Sequence, residues 1–500
     1  MPDPVSLVAG RRRPKIVLAV HQGFSIRYLM QTEILRTLQE ADCRIIVLAQ
    51  DDSEYLATRY GRERIEYLTI PWDVGRRFAN RSRIERALNF IRQYTHRGFV
   101  RVSEHHYWIA VRDGNLFRRG PVWWLRHSAL RLAILAARRM FALRRLLLWG
   151  LSRYVPREHV ETIAKIKPDV IVTTSLGTFD YDQYVMRAAD QLGIPVISVV
   201  LSWDNPTCRG YPGAQPWHVI AWTDEMRREL TDHNDVPADK TSVCGIAHFD
   251  PYFRPDPAFD RRRFMEGLGL DPDKRMVLVA TKSPNTYAYN SNLGAILGSA
   301  VADGRLPADV QVVLRIHPLF YRFREGRFLF MEALDACRRV AEKWPAVHIN
   351  EPEIQSKKLD YDMREAETVF ISRLLRSTDV LVNIYSTMNI EGAIFDVPLV
   401  NARIEDAEMH YDAYIDARFD IRIDHDSDHN LRIVNSRGTR VVDDGDALVE
   451  AVAAHLADPA LDREGREAIV RREAGPNRGG AGRAIGNRIF ELACGIVETP

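Results

Sequence analysis

TDVLVNIYSTMNIEGAIFDVPLVN, residues 378–401, is where the fold can first be read. An apolar run, DVLVNI (379–384), stops at Tyr385-Ser386-Thr387, a helix begins there, and Pro398 opens a second apolar run, VPLVN (397–401). Two short, mainly apolar runs joined by a helix describe parallel strands buried on both faces. The same alternation extends to either side. RMVLVAT (275–281), DVQVVLRI (309–316) and AVHI (346–349) precede it, and helical stretches around 446–457, 461–473 and 482–494 follow. Earlier in the chain come KIVLAV (15–20), RIIVLA (44–49), DVIVTT (169–174), IPVISVV (194–200) and HVIAW (218–222), with helices expected near 26–39, 158–166, 182–192 and 224–233. The pattern halts over 249–273, where FDPYFRPDPAFD and DPD cluster prolines, a linker signal.

The organisation read from this is an α/β chain of two parallel-sheet units. Residues 14–250 form the first, interrupted by an insertion at 76–153; 251–273 are the linker, 274–475 the second unit and 476–500 a terminal helical segment. Ligands of open parallel sheets bind beyond the C-terminal ends of the strands, so the two units are expected to face a common cleft.

The 500 residues are 46% hydrophobic and 27% charged, which excludes a largely disordered chain. Lys+Arg 69 against Asp+Glu 67 leaves a net charge of +2, too balanced for a nucleic-acid-binding surface. Cys43, Cys208, Cys244, Cys337 and Cys494 are scattered without a CxxC pair, and neither a secretory signal nor an 18-residue apolar run is present. A cytoplasmic protein is expected. The charge is uneven, however. From Arg76 to Arg153 there are 18 Arg, no Lys and only Glu85, Glu104 and Asp113, a net of +15 that leaves −13 for the remainder. ALRLAILAARRMFALRRLLLWGL (129–151) reads as one helix with Arg131, Arg138 and Arg145 on one face and Arg144 the exception. With Trp108, Trp123 and Trp124 nearby, 76–153 is expected to touch an anionic membrane surface; the alternative is an insertion packed on its own domain.

Chemistry-bearing residues cluster at strand ends. Ser386 and Thr387 stand at a helix start, placed either to bind an anion or simply to cap the helix, and Glu391 lies a turn further on, in reach of a sugar hydroxyl. In VVLRIHPLF (312–320), Arg315 and His317 suit a phosphate ester, and Lys282 and Ser283 offer further phosphate contacts or a plain polar loop. His21, directly after the first strand, is placed to act as a general base, with Asp180 and Asp182 weaker candidates. Trp203, Asp204 and Asn205 are positioned to stack on and bond an acceptor sugar, although Asp-Asn-Pro is also a turn signal. The run DHDSDH (424–429) is read as a solvated loop rather than a metal site.

Four of these stretches, in order, resemble the GT-B glycosyltransferases, near the bacterial CDP-glycerol glycerophosphotransferases, the capsule transferases with an HP motif and the UDP-GlcNAc 2-epimerases. They are GIAHFDPYF (245–253), RIHP (315–318), YSTMNIEGAIFDVPLV (385–400), with Asp396 where glycine is usual, and RGGAGRAIGNRIFEL (478–492). The resemblance implies a nucleotide-sugar donor held by the second unit. Arg315 and His317 would contact the donor's phosphate or nucleotide, Ser386 and Thr387 its phosphate and Glu391 the ribose. The acceptor, a glycan or a lipid-linked glycan, would meet the first unit, and neither a cofactor nor a divalent metal is implied. A nucleotide-sugar epimerase and a catalytically silent glycan-assembly subunit are the alternatives. Donor identity, acceptor, stereochemical outcome and oligomeric state stay open.

Overall fold

A computed structural model describes residues 12–50, 53–96, 120–284, 286–287, 290–324, 326–356, 359, 362–404 and 421–498. The first unit is one parallel sheet of β1 (Lys15–Val20), β2 (Arg44–Ala49), β3 (Ile65–Thr69), β4 (Val170–Thr173), β5 (Val196–Val199), β6 (His218–Ala221) and β7 (Thr241–Val243), in the order β3-β2-β1-β4-β5-β6-β7. The second contains β8 (Arg275–Ala280), β9 (Val310–Arg315), β12 (Val347–Asn350), β13 (Val380–Asn383), β14 (Leu399–Ala402) and β15 (Thr439–Val442), in the order β12-β9-β8-β13-β14-β15. A small antiparallel ribbon, β10 (Phe323–Arg324) with β11 (Arg327–Phe328), follows β9. Each sheet reverses its strand order once, between β1 and β4 and between β8 and β13, and crevices open at such switch points.

The central strands are buried along nearly all of their length, which is why each reads as a mainly apolar run. The edge strands differ. β3 (IEYLT), β7 (TSV) and β15 (TRVV) carry polar residues and stay partly exposed, and sequence patterning did not find them.

Helices depart from expectation in two places. The stretch expected near 26–39 is two helices, Gly23–Met30 and Glu33–Glu40, because Thr32 caps the second by accepting from Ile34 N and donating to Tyr28 O at 2.7 Å. The stretch read as one helix over 129–151 is likewise two, Pro121–Arg139 and Phe141–Leu151, broken where Met140 takes extended angles. The break lets Arg144, the residue out of step with its neighbours, bury its guanidinium on Asp235 at 2.6 and 3.0 Å. Arg131, Arg138 and Arg145 therefore do not lie along one continuous helix. Trp108 lies outside the described residues, as do the side chains of Trp123, Trp124 and Arg131.

The chain returns to its beginning at the end. Helix Ala481–Glu498 packs on Glu33–Glu40, where a Cβ on Gly482 or Gly486 would lie 3.0 Å or less from Glu33 and Thr37. Asp250 fixes its start, accepting from Ala481 N and Gly482 N at 2.8 Å each. Gly245 must be glycine: φ is +94° and a Cβ would meet Pro476 O at 2.2 Å.

Candidate active site

At the first switch point the β1 and β4 loops bring His21 to Asp182. The Nδ1 atom lies 3.3 Å from a carboxylate oxygen, and the side chains are 6% and 0% exposed. The second carboxylate oxygen accepts from Ser175 Oγ at 2.6 Å, and Phe179 packs on the imidazole with ring centroids 5.0 Å apart. Neither Nδ1 nor that carboxylate oxygen has a hydrogen-bond partner among the described residues, so the pair is a close approach rather than a hydrogen bond. A carboxylate so placed favours a positive charge on the imidazole. Asp182, in the first turn of the helix that follows this loop, meets His21. Asp180 opens the helix Asp180–Gln191, and its side chain lies outside the described residues.

The loop after β5 adds the next layer. Arg209 lies over the Phe179 ring and 3.6 Å from Asp204, whose carboxyl is held at about 2 because Arg209 and His429 outweigh the burial that opposes ionisation. Trp203 is buried, with His429 edge-on to it at 4.8 Å between ring centroids. Asp204 Oδ1 and Asn205 Nδ2 are buried without protein partners.

His429 belongs to the second unit, and with it DHDSDH needs correction. The run is not a solvated loop: it spans parts of the helices Ile421–His425 and Asp428–Asn435 and closes on the site. Asp424 pairs with Lys282, His425 Nδ1 meets Tyr385 OH at 2.6 Å, and His429 Nδ1 meets Thr207 Oγ1 at 2.8 Å. These partners lie 142, 40 and 222 positions away in the chain, which the run's polar composition conceals.

At the second switch point Lys282, just after β8, donates to Ile384 O at 3.1 Å and Tyr385 O at 3.5 Å, drawing the β8 and β13 loops together. Thr281 ties in the β9 loop, accepting from His317 N at 2.8 Å and donating to Arg315 O at 3.0 Å. Ser283 follows Lys282 and turns the chain, its carbonyl accepting from Thr286 N at 3.0 Å. Three buried asparagines hold the 384–387 loop: Asn383 and Asn401 both bond Asn389, while Asn401 Oδ1 receives Tyr385 N at 2.9 Å. Tyr385 is thereby kept at φ +46°, a conformation that strains a residue with a side chain. These asparagines went unread, although an amide inside an apolar strand was the available signal.

His317 accepts from Leu319 N at Nδ1, and burial, with Lys282 and Arg315 nearby, lowers it to about 4. It is neutral at pH 7, with Nε2–H as its donor. The Arg315 guanidinium has protein partners, Glu367 and Asn350 Oδ1, and lies over Phe370. Ser386 bonds Asn383, and Thr387 precedes the seven-residue helix Met388–Ile394. Glu391 is buried at the junction of the units, accepting from Thr387 Oγ1 at 3.1 Å and Tyr252 OH at 2.5 Å; burial raises its carboxyl. Asp396, at φ +55°, occupies a left-handed position that favours glycine, anchored by Arg463 and Arg466 at 2.8 and 2.9 Å. A cavity of about 350 Å³ lined by Arg13, Asp42, Arg44, Arg64 and Glu66 opens at the opposite, N-terminal ends of β2 and β3, away from these loops.

Contacts run from His21 through Phe179 and Arg209 to Asp204, whose neighbours Trp203 and Thr207 meet His429. Asn430, next to His429, donates to Asp424 O, and the Asp424 carboxylate pairs with Lys282, which reaches Tyr385. Two parallel sheets facing one another across such loops make this a GT-B fold. UDP-GlcNAc 2-epimerase from Neisseria meningitidis, bound to UDP-GlcNAc, matches with a TM-score of 0.52 at 11% identity, over 95% of this chain and 100% of its own. MnaA of S. aureus, solved with UDP, gives 0.52 and 11% over 96% of each chain. A Listeria monocytogenes protein solved as a candidate UDP-N-acetylglucosamine 2-epimerase gives 0.52 and 11% over 96% of this chain and 95% of its own. No protein-family model and no curated protein matches the sequence.

Proposed function

We propose that this chain is a glycosyltransferase that moves a sugar or sugar-like group from a nucleotide-activated donor to a glycan or lipid-linked acceptor. The observation that carries the reading is the His21–Asp182 pair at one switch point, joined by continuous contacts to the Lys282–Tyr385 loops at the other. In this reading His21 Nε2 removes the acceptor hydroxyl proton, and Asp182, fixed by Ser175, steadies the imidazolium that forms. Asp204 Oδ1 and Asn205 Nδ2, buried and unpartnered, supply an acceptor and a donor for hydroxyl groups of the substrate. The oxygen of the acceptor bonds to the sugar carbon as the bond from that carbon to the nucleotide phosphate breaks, and the phosphate keeps the electron pair. Lys282, which here pairs with Asp424, and neutral His317 through Nε2–H meet that growing negative charge. The Ser386 and Thr387 hydroxyls join them on turning from Asn383 Oδ1 and Glu391 Oε1, to which they donate in the unliganded chain.

The test is a thermal-shift screen of CMP, CDP, UDP, GDP and TDP, followed by incubation with the matching nucleotide sugar. One nucleotide is expected to stabilise the fold by about 2.7 kcal/mol at a concentration near 100 Kd. His317→Ala and Ser386→Ala are expected to reduce that shift while leaving the unliganded protein folded. Absence of stabilisation by all five would overturn the donor site. Conversion of UDP-GlcNAc to its manno epimer without an acceptor would replace transfer by epimerisation. Binding without turnover of any donor would make the chain a glycan-assembly subunit.

A further inference from the structure

The helices Pro121–Arg139 and Phe141–Leu151 carry an outer face that the other described residues do not cover. Leu125, Leu132, Met140, Phe141, Leu146 and Trp149 are each more than half exposed. Within the first helix, Val122, Leu125, Ala129 and Leu132 recur at helical spacing on the exposed side, while Ile134 and Ala137 are buried. Arginines interleave with this apolar row: Arg126, Arg139, Arg145 and Arg153 are exposed, and the Arg153 guanidinium stacks 3.5 Å above the Trp149 ring. From Pro121 to Arg153 there are seven arginines and not one acidic residue. A soluble surface gains nothing by exposing this much aliphatic and aromatic area. An anionic bilayer answers both features at once, taking the apolar side chains at the headgroup boundary while the arginines reach phosphates.

The face is also fixed relative to the candidate acceptor loop. Arg144 clamps the second helix to Asp235, and Tyr211 OH donates to that same carboxylate at 2.9 Å. Arg92 Nη1 donates to Tyr211 O at 2.6 Å, the His96 ring meets Pro206 O at 2.5 Å, and Pro206 is two residues from Asp204. We propose that this two-helix face docks the protein on an anionic lipid bilayer, holding the 203–211 loop at the membrane surface, where a lipid-linked substrate would be presented. The docking itself does not rest on the proposed transferase activity.

The experiment is co-sedimentation of the full chain with phosphatidylglycerol–phosphatidylcholine vesicles and with phosphatidylcholine vesicles alone, at low and high salt. Two variants accompany it, both at exposed positions outside the site: Arg126→Gln/Arg139→Gln/Arg145→Gln and Leu125→Ser/Leu132→Ser/Leu146→Ser. Binding to anionic vesicles is expected, with partitioning falling about fivefold per arginine removed, roughly 100-fold for the triple change, and declining with salt. The serine variant is expected to lose at least about tenfold in binding while keeping its circular dichroism and melting temperature. Nucleotide-induced thermal shifts in both variants report on the donor site separately, so a failure of either proposal is told from a failure of the other. No sedimentation with anionic vesicles at low salt would overturn the proposal, as would equal binding to both vesicle types. So would a concentration-dependent dimer that the serine variant abolishes, since the face would then belong to a second copy.

Discussion

Asp396 offers a direct test of how the 385–401 segment is held. Its φ of +55° lies where a side chain costs roughly 1 kcal/mol relative to glycine, and its carboxylate bonds Arg463 and Arg466. Arg463 and Asp396 are each about half exposed, so that pair contributes about 0.2–1 kcal/mol. Arg466 is fully buried, and its bond to the carboxylate is worth about 1.5–3 kcal/mol, although Leu461 O and Pro459 O also hold it. Asp396→Gly removes both ion pairs but relieves the backbone, for a net destabilisation of about 1–2 kcal/mol. Asp396→Ala removes the same pairs and keeps the strain, so it should cost about 1 kcal/mol more. Urea unfolding of the three proteins, with m-values checked for constancy, measures the order wild type, then glycine, then alanine. If alanine proves as stable as glycine, the backbone at 396 is not under the strain argued from its φ. If glycine exceeds wild type, the arginine pairs contribute less than the roughly 1 kcal/mol that the backbone conformation costs.

Two further outcomes follow from the site and the core. His21→Ala and Asp182→Asn should both lower turnover with the natural acceptor, the first by ~10²–10⁴-fold, while nucleotide affinity stays within twofold or so; a loss below about fivefold for His21→Ala would remove it from the chemistry. Burial lowers His159 to about 4 and His429 to about 3, against an unfolded value near 6.5. Below pH 6.5 the unfolded chain takes protons that the folded chain refuses, so this stability is present above 6.5 and is lost progressively down to about pH 4 for His159 and about pH 3 for His429, by up to roughly 3 and 5 kcal/mol respectively. Glu229, raised to about 7 by burial, works in the opposite direction between its folded and unfolded values, so the histidine contribution is read as wild type minus His159→Phe. Equal pH dependence of the melting temperature in both proteins would contradict it.

The parts of the fold legible in the sequence are those whose physics is local. Strands buried on both faces, such as β1, β8 and β13, are mainly apolar and announce themselves, whereas β3, β7 and β15 lie at sheet edges and dilute the signal with Glu66, Ser242 and Arg440. At the site, His21, Lys282 and the Ser386–Thr387 pair could be picked out because each follows a strand directly. Their partners could not. Asp182 lies 161 residues from His21 and Asp424 lies 142 from Lys282, and no local pattern specifies which carboxylate each receives. The Met140 break is of the same kind, since no glycine or proline marks it and the partner that captures Arg144 is Asp235.

The packing of Ala481–Glu498 against Glu33–Glu40 has a consequence for biosynthesis. The two segments are separated by 440 intervening residues, so on the ribosome the earlier helix waits for its partner for roughly 20–90 s at ordinary elongation rates. During that interval the face that will receive Gly482, Ile485, Gly486 and Ile489 lacks its cover, and Asp250 lacks the amides it will bind. A nascent chain arrested before residue 481 should therefore be a better chaperone client than its nearly complete length suggests.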